Sequence, residues 1–239
     1  MKLQIQTSGW VAAVTMFWLA IPTLTADTAA GVRAFRRGDY ATALREWKPL
    51  AERGEPEAQF NLGTLYEKGL GVTKSYDEAF KWYSLAAAQG EAQAEYRLGE
   101  MYAHGAGKPQ NYGEASLWFT RAAEQGDPDA ETALAALYDE GEGTERNYQE
   151  AARYYRMAAE QENAQAQYRL GLLYERGRGV AKDPVQAYCW LTLAFARRQL
   201  DAGKEQERLT PRLTAEQLTQ ARACVRMWKP TKAVQITHK

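Results

Sequence analysis

The sequence predicts an all-α protein, a right-handed α-solenoid of helix-turn-helix repeats with a C-terminal capping helix. A phrase close to "NLGTLYEKGLGV" occurs four times, and its leucine recurs every 36 residues. A fixed period in this range is the signature of stacked helical hairpins. Within each copy, apolar residues recur every four residues, and a glycine that can end a helix follows them. The recurring leucines are Leu62, Leu98, Leu134 and Leu170.

The first 26 residues are predicted to be a secretory signal peptide. Lys2 is their only charged residue, and the apolar run from Trp10 to Pro22 is thirteen residues long. As a helix, this run would span about 20 Å, less than the roughly 30 Å of a bilayer core. A positive start, a short apolar segment and a small-residue exit are typical of a signal peptide, here with cleavage after Ala26. The alternative is an uncleaved inner-membrane anchor that extends from Ile5 to Leu24.

The period divides the rest of the chain. A helix pair at 29–54 keeps the register and precedes the full repeats, and a capping region and a flexible tail follow them. The final helix is expected to place Leu218, Ala221, Val225 and Trp228 on one face, which covers the last repeat. The predicted repeats are 55–90, 91–126, 127–162 and 163–198, the cap is 199–228 and the tail is 229–239.

The second helix of each repeat has a recognisable start. A residue with a side-chain oxygen stands at the N-cap, and Glu or Gln follows three residues later, which resembles a capping box. Recurrent tryptophans, Trp82, Trp118 and Trp190, are predicted to fill the space between helices. The third repeat departs most, with Glu162 in place of Gly, which should weaken its cap without breaking the register. The N-cap residues are Ser75, Asn111, Asn147 and Asp183.

Composition and motifs argue against nucleic-acid binding and catalysis. Lys plus Arg equals Asp plus Glu at 30 each, so no basic surface is expected for a nucleic acid. No His, Cys, Asp or Glu cluster has metal-ligand spacing, and neither a G-x-S-x-G sequence nor a phosphate-binding loop is present. We therefore expect no enzyme activity, no cofactor and no metal site.

The two cysteines, Cys189 and Cys224, could form a disulfide. Cys189 lies in the second helix of repeat 4, and Cys224 lies at the edge of the apolar face of the final helix. In an oxidising compartment, a bond between them would tie the cap to the last repeat. The alternative is two free, half-buried thiols.

The recurring pattern A-x-x-x-L-G-x-x-Y-x-x-G-x-G, followed by A-x-x-W-Y-x-x-A-A-x-x-G, resembles the Sel-one-like repeat, a tetratricopeptide-like helical hairpin. The resemblance covers about residues 31–196, and the end of the chain is similar to bacterial exported members. It implies a scaffold for protein interactions in complex assembly, signalling, the cell envelope or host contact. Some cysteine-rich relatives are linked to β-lactam binding, but this chain lacks their cysteine pair in each repeat and has no S-x-x-K or K-T-G.

By analogy with tetratricopeptide grooves, the first helices should line a concave face. Nine residues on these helices are predicted to face a partner, and the aromatic residues Phe60, Tyr96 and Tyr168 flank them, partly in the core. The mixed, slightly acidic set favours an extended or helical peptide with some basic character. The alternative is that these residues are ordinary solvated ones and the partner docks elsewhere. The nine are Thr64, Glu67, Lys68, Glu100, His104, Asp139, Glu140, Glu175 and Arg176.

The sequence therefore predicts a non-enzymatic scaffold or adaptor in the bacterial periplasm or envelope, with a protein or peptide as its partner. A glycan assembly factor, acting on polysaccharide or peptidoglycan, is the alternative, and a β-lactam hydrolase is a third. The partner's identity, the pathway and the oligomeric state are not specified by the sequence.

Overall fold

The computed structural model describes residues 27–231, and within them it contains twelve α-helices, one short 3₁₀ turn and no strand. The predicted signal peptide or anchor, and most of the predicted tail, lie outside the described residues. The helices are α1 (Thr28–Arg36), α2 (Tyr40–Glu52), α3 (Pro56–Lys68), α4 (Tyr76–Ala87), α5 (Ala92–His104), α6 (Tyr112–Glu124), α7 (Pro128–Glu140), α8 (Tyr148–Glu160), α9 (Ala164–Arg176), α10 (Pro184–Ala196), α11 (Leu200–Leu209) and α12 (Ala215–Met227), with the 3₁₀ turn at Thr210–Arg212.

The helices pack as consecutive antiparallel pairs, and each pair packs on the next. The first helices α3, α5, α7 and α9 begin 36 residues apart, as do the second helices α4, α6, α8 and α10. No hairpin can bury its apolar face alone, so the stack forms one continuous core. The prediction of an α-solenoid is confirmed.

The centre of each hairpin is a large side chain set against a very small one. Tyr83 is fully buried, and a Cβ added to Gly63 would stand 2.7 Å from its ring. Gly99 faces Phe119 in the same way, at 2.5 Å. The glycine in the repeated phrase therefore lets the second helix of the same hairpin approach closely. Trp47, Phe119, Tyr155 and Leu191 occupy the position of Tyr83 in the other hairpins, each 3% exposed or less.

The position of Tyr83 lies one residue after the recurrent tryptophans that were predicted to fill the space between helices. Trp82 and Trp190 are buried as predicted, at 9% and 7% exposed, but Trp118 is only half-buried. Trp118 packs against the core cluster that α4 of the preceding hairpin forms with α5. These tryptophans therefore fill the space between successive hairpins, and the residue after each fills the space within a hairpin.

The two glycines of each G-x-G pair have different roles. Gly69 and its counterparts end the first helices in the left-handed conformation, and the N–H of Gly69 donates to the carbonyl of Leu65. The second glycine also has a positive φ and packs against the start of the second helix in the preceding hairpin. At Gly107, an added Cβ would stand 2.7 Å from the Cβ of Tyr76. The pair thus joins two hairpins as well as ending a helix.

Each second helix begins at the predicted N-cap residue, but the predicted capping box is only half present. The Ser75 hydroxyl accepts from the N–H of Glu78, and its counterparts act alike. The N–H of Ser75 does not use the Glu78 side chain, because it donates to the carbonyl of Tyr66 at 2.9 Å. The loop folds the cap back onto the end of the first helix, so this donor is already satisfied. Only α12, within residues 27–231, has both bonds of a capping box.

The third repeat keeps its register despite its unusual residues. Glu162 occupies the position that Gly54, Gly90 and Gly126 hold, and it takes a positive φ of 70°. A side chain in this region is strained relative to glycine by about 1 kcal/mol. The predicted weakening of this turn therefore has a structural basis, while the helices on either side are unaltered.

The stack ends in two helices rather than one. Both α11 and α12 pack on α10, and α12 turns Ala221, Val225 and Trp228 toward the core as predicted. In addition, α11 begins 36 residues after α9, and Ala202 is fully buried, as Ala166 is. The repeat register, which the sequence pattern suggested ends with repeat 4, therefore continues for one more first helix.

A disulfide joins Cys189 of α10 to Cys224 of α12, with their Cα atoms 6.0 Å apart. Cys189 is 1% exposed and packs in the core cluster formed mainly by α8, α9 and α10, next to Val225 and Trp228. The bond therefore fixes the terminal helix to repeat 4.

We expect protein purified from its native compartment, unfolded without reductant, to show no reactive thiol, and to show two after reduction. Titration with a thiol reagent in denaturant measures this. A double Cys189→Ser and Cys224→Ser variant gives the background of the assay. Two reactive thiols before reduction would contradict both the bond and an oxidising compartment.

Candidate functional site

The nine residues predicted to face a partner all lie on the first helices, in the second half of each. One set closes the helices and is exposed: Lys68, His104, Glu140 and Arg176. The other set is half-buried: Thr64, Glu67, Glu100, Asp139 and Glu175. A helix C-terminus carries a partial negative charge, so the basic residues of the first set suit their position and Glu140 does not.

In repeat 1, two of the predicted residues hold the buried tyrosine of the hairpin. The Tyr83 hydroxyl donates to the Glu67 carboxylate at 2.6 Å and lies 3.2 Å from the Thr64 hydroxyl. Burial, together with Glu67, raises the pKa of Tyr83 well above its ordinary value, so the phenol stays protonated and acts as a donor. Glu67 is thereby held at a fixed place between α3 and α4.

In repeat 2, the predicted residues form one side of a pocket. Arg97, Glu100 and His104 are spaced by three and four residues, so they share one face of α5. Arg97 donates to Glu100 at 2.6 Å, and the Tyr96 hydroxyl donates to the other carboxylate oxygen at 3.0 Å. The His104 Nδ1 lies 2.9 Å from the carbonyl oxygen of Glu100. These contacts fix the charged groups while the Arg97 and Glu100 side chains stay partly exposed.

The pocket lies between the first helices of repeats 1 and 2 and has a volume of about 200 Å³. Glu67 of α3 faces the α5 side chains across it, and Tyr76, at the start of α4, closes one edge. The structure therefore brings three predicted residues together, although they belong to two repeats. The lining residues are Glu67, Tyr76, Arg97, Glu100, Met101, His104 and Ala106.

The electrostatics of the pocket are dominated by its carboxylates. Partial burial disfavours the charged form of Arg97, but Glu100 outweighs this effect, and the pKa of Arg97 lies above its ordinary value. Arg97 therefore remains a cation and is committed to Glu100. Two carboxylates and one guanidinium line the pocket, and the Lys74 ammonium lies over the Tyr76 ring at its edge.

The other predicted residues do not join this pocket. Asp139 is half-buried. Burial raises the pKa of Tyr155, and the negative charge of Asp139 adds to this shift. Glu175 accepts two bonds from Arg208 of α11, each 2.8 Å long. Thr64 bonds within its own hairpin, and Lys68, Glu140 and Arg176 stand at exposed helix ends.

The three flanking aromatic residues belong partly to the core, as predicted. Phe60 and Tyr96 pack against the buried rings of their own hairpins, Tyr83 and Phe119, with centroids 5.7 Å apart in both pairs. Tyr168 packs against the last core cluster. These rings therefore contribute to the packing of the first helices against the core.

Sequence reasoning missed Arg97 and Tyr76 as members of the site. Arg97 directly precedes the recurring leucine, and Glu100 follows it three positions later, so helical spacing alone could have found it. Tyr76 gave no such signal, because it reaches the pocket only through the contact between its helix start and Gly107 of the next repeat.

Residues 27–231 contain no group of His, Cys, Asp and Glu side chains arranged to hold a metal ion. Over the same residues, no helix has both the length and the apolar character needed to cross a bilayer. The site's chemistry is thus that of charged and aromatic side chains around an open pocket.

Comparison with known proteins decides the family. The Sel1 repeat matches four times in succession, at residues 56–91, 92–127, 128–163 and 164–197. The chain belongs to the Sel1 repeat family. Proteins with Sel1 repeats generally mediate protein–protein interactions, and the repeat is a non-catalytic scaffold fold.

Two solved Sel1 structures resemble this chain over most of its length. A Sel1 repeat protein from Oxalobacter formigenes is 36% identical, with a TM-score of 0.69, over 75% of this chain and 74% of that one. A protective antigen present in uropathogenic Escherichia coli strains is 32% identical, with a TM-score of 0.78. That match covers 85% of this chain but 45% of the antigen, so this Sel1 chain spans less than half of that protein. No protein of curated function matches the chain significantly.

Proposed function

We propose that this Sel1 repeat protein is a non-enzymatic scaffold of the bacterial periplasm or cell envelope, which binds a partner polypeptide along the face formed by its first helices. The pocket between α3 and α5 is the observation that carries the proposal. Its charged groups are fixed by neighbouring side chains and backbone, yet the Arg97 and Glu100 side chains remain 33% and 28% exposed. A preorganised surface of this kind lowers the entropic cost of binding.

The compartment is supported by two features. The N-terminal 26 residues have the composition of a signal peptide. The disulfide between Cys189 and Cys224 suits an oxidising environment. In an exported scaffold, this disulfide would hold the terminal helix in place without a bound ligand.

Capture of a partner from envelope extract tests the proposal. We expect residues 27–239, immobilised, to retain a defined polypeptide, and His104→Trp to reduce the retained amount at least fivefold. His104 is exposed at the rim of the pocket, so an indole there would fill the pocket and leave the core intact.

Leu117→Trp is the matched control, because Leu117 is 61% exposed on α6, a second helix, and lies outside the pocket. This variant should retain the partner as the unaltered protein does. Equal loss in both variants, or equal retention in both, would contradict binding at the first-helix face. Retention of a polysaccharide or peptidoglycan fragment instead of a polypeptide would favour the glycan assembly role.

A further inference from the structure

Two junctions between first helices, that of α3 with α5 and that of α9 with α11, are equivalent in the repeat register. Because the repeat register continues into α11, the pair Glu175 and Arg208 occupies the positions that Glu67 and Glu100 occupy at the junction of repeats 1 and 2. The sequence separations agree: Glu175 follows Glu67, and Arg208 follows Glu100, by 108 residues, which is three periods of 36. One junction can therefore be compared directly with the other.

At the C-terminal junction, the carboxylate is neutralised by the neighbouring helix. The Arg208 guanidinium donates to both oxygens of Glu175 at 2.8 Å, and Arg212 lies 3.6 Å from one of them. The Glu175 side chain is only 11% exposed. A carboxylate in such a place is costly unless a cation pairs with it. This junction therefore shows that an arginine side chain can pair with a carboxylate at this position of the repeat.

At the junction of repeats 1 and 2, the corresponding cation is missing from the described part of the chain. Glu100 stands where Arg208 stands, and it is already paired with Arg97. One oxygen of Glu67 accepts the Tyr83 hydroxyl, and Glu67 forms no ion pair within 4 Å among residues 27–231. Arg97 is paired with Glu100 and interacts with Glu67 only at longer range. A pocket of about 200 Å³ lies beside Glu67 at this junction.

The pocket suits one long side chain. Its volume of about 200 Å³ is too small to admit a helix, which is about 10 Å across with its side chains. Met101, Ala106 and the Tyr76 ring offer apolar surface along its wall, and Glu67 supplies the negative charge. Lysine and arginine combine an apolar stem with a cationic end, which matches this arrangement. The Lys74 ammonium already lies 4.6 Å from the centroid of the Tyr76 ring, so this ring contributes apolar surface to the pocket and Glu67 is the group that attracts the cation.

We infer that this pocket is the receptor for a single lysine or arginine side chain of the partner polypeptide, with the cation paired to Glu67 as Arg208 is paired to Glu175. The inference rests on the proposed function and specifies its anchor. It also fixes where the bound chain is anchored, since the basic residue must enter between α3 and α5.

Short synthetic peptides test the pocket without knowledge of the partner. The probes are acetylated, amidated pentapeptides of alanine with arginine, lysine or norleucine at the centre. We expect the arginine and lysine peptides to shift the NMR methyl signals of Met101 and Ala106 saturably, at millimolar concentration or below. The norleucine peptide, which has the stem without the charge, should produce no saturable shift.

Glu67→Gln supplies the second arm, since glutamine keeps an acceptor for the Tyr83 hydroxyl and loses the charge. We expect about a tenfold loss of affinity for the basic peptides, and no loss in Glu140→Gln, an exposed glutamate on α7 outside the pocket. A norleucine peptide that binds as well as the arginine peptide, or a Glu67→Gln variant with unaltered affinity, would overturn the inference. If partner capture by the unaltered protein persists in that case, only the anchor is wrong; if capture also fails, the scaffold function is wrong.

Discussion

Gly179→Ala is expected to destabilise the fold by about 3–4 kcal/mol, the largest effect of any single glycine substitution in the stack. Gly179 has a φ of 67°, which disfavours any side chain. In addition, an added Cβ would overlap the carbonyl oxygen of Tyr148, which is backbone in the preceding hairpin. Backbone cannot move aside as a flexible side chain can, so the two hairpins would have to separate. Urea unfolding followed by circular dichroism measures the loss.

Gly126→Ala separates the two causes. Gly126 also has a positive φ, 81°, but nothing lies within 4 Å of an added Cβ. This control should lose only the conformational part, about 1 kcal/mol. Gly71→Ala, whose Cβ would stand 3.0 Å from that of Tyr40, is expected to lie between them. Equal losses at Gly179 and Gly126 would show that the second glycine of the pair is needed for its conformation alone.

The second large effect concerns a buried polar position that recurs once in each repeat. It lies in the first turn of each first helix and is 5% exposed or less in all four repeats. In repeats 1 and 4, a glutamine amide donates to a backbone carbonyl, that of Ala51 at 3.1 Å and that of Ala159 at 3.0 Å. A carboxylate has no proton to donate in this way. The four residues are Gln59, Glu95, Glu131 and Gln167.

Burial raises the pKa of Glu131 to about 7. A hydrogen bond from Gln161 and the charge of Arg153 oppose the shift, while Asp127 and Glu160 add to it. An unfolded glutamate has a pKa near 4.3, so the folded state binds the proton more tightly. The stabilisation from this proton is therefore complete below about pH 4, declines as the pH rises, and is lost above pH 7.

We expect Glu131→Gln to stabilise the protein by about 2–3 kcal/mol at pH 8 and to leave its stability nearly unchanged at pH 4. The glutamine removes the cost of ionisation and restores the donor that repeats 1 and 4 possess. Urea unfolding at pH 4 and at pH 8 measures the change in the free energy of unfolding at each pH.

Two further variants control for other causes of the pH dependence. Gln167→Glu should do the reverse in repeat 4, destabilising at pH 8 more than at pH 4. Glu140→Gln, on the same helix but exposed, should have no comparable effect. A gain from Glu131→Gln that is equal at pH 4 and pH 8 would mean that the carboxyl of Glu131 does not titrate differently in the folded state.

Several features of the fold could be predicted from single residues. The 36-residue period, the helix-ending glycines and the N-cap oxygens each follow from local chemistry that does not depend on the neighbours. The capping box failed as a prediction because the N–H of Ser75 finds the carbonyl of Tyr66, a partner supplied by the loop's return path. The sequence did not indicate that Tyr83, rather than the adjacent Trp82, fills the centre of the hairpin, because both positions are compatible with the helical spacing of buried residues.

The same distinction between local and tertiary information applies to the candidate site. Its residues on the first helices could be selected by spacing, but their grouping could not. Glu67, Glu100 and His104 meet because consecutive hairpins place α3 beside α5, whereas Glu175 is occupied by Arg208 of a helix that the sequence pattern did not include in the repeat. Whether a charged residue is open to a partner depends on what the next hairpin places opposite to it.

The family, the helical stack and its period could be recognised without coordinates, because these depend on periodic apolar residues and on glycines whose conformation is a local property. Which charges are already paired, which glycines touch the preceding hairpin and where a pocket remains depend instead on how successive hairpins pack. Those features arise between residues about one period or more apart in the chain, and distances across a packed junction are set by the neighbouring hairpin, which no single repeat encodes.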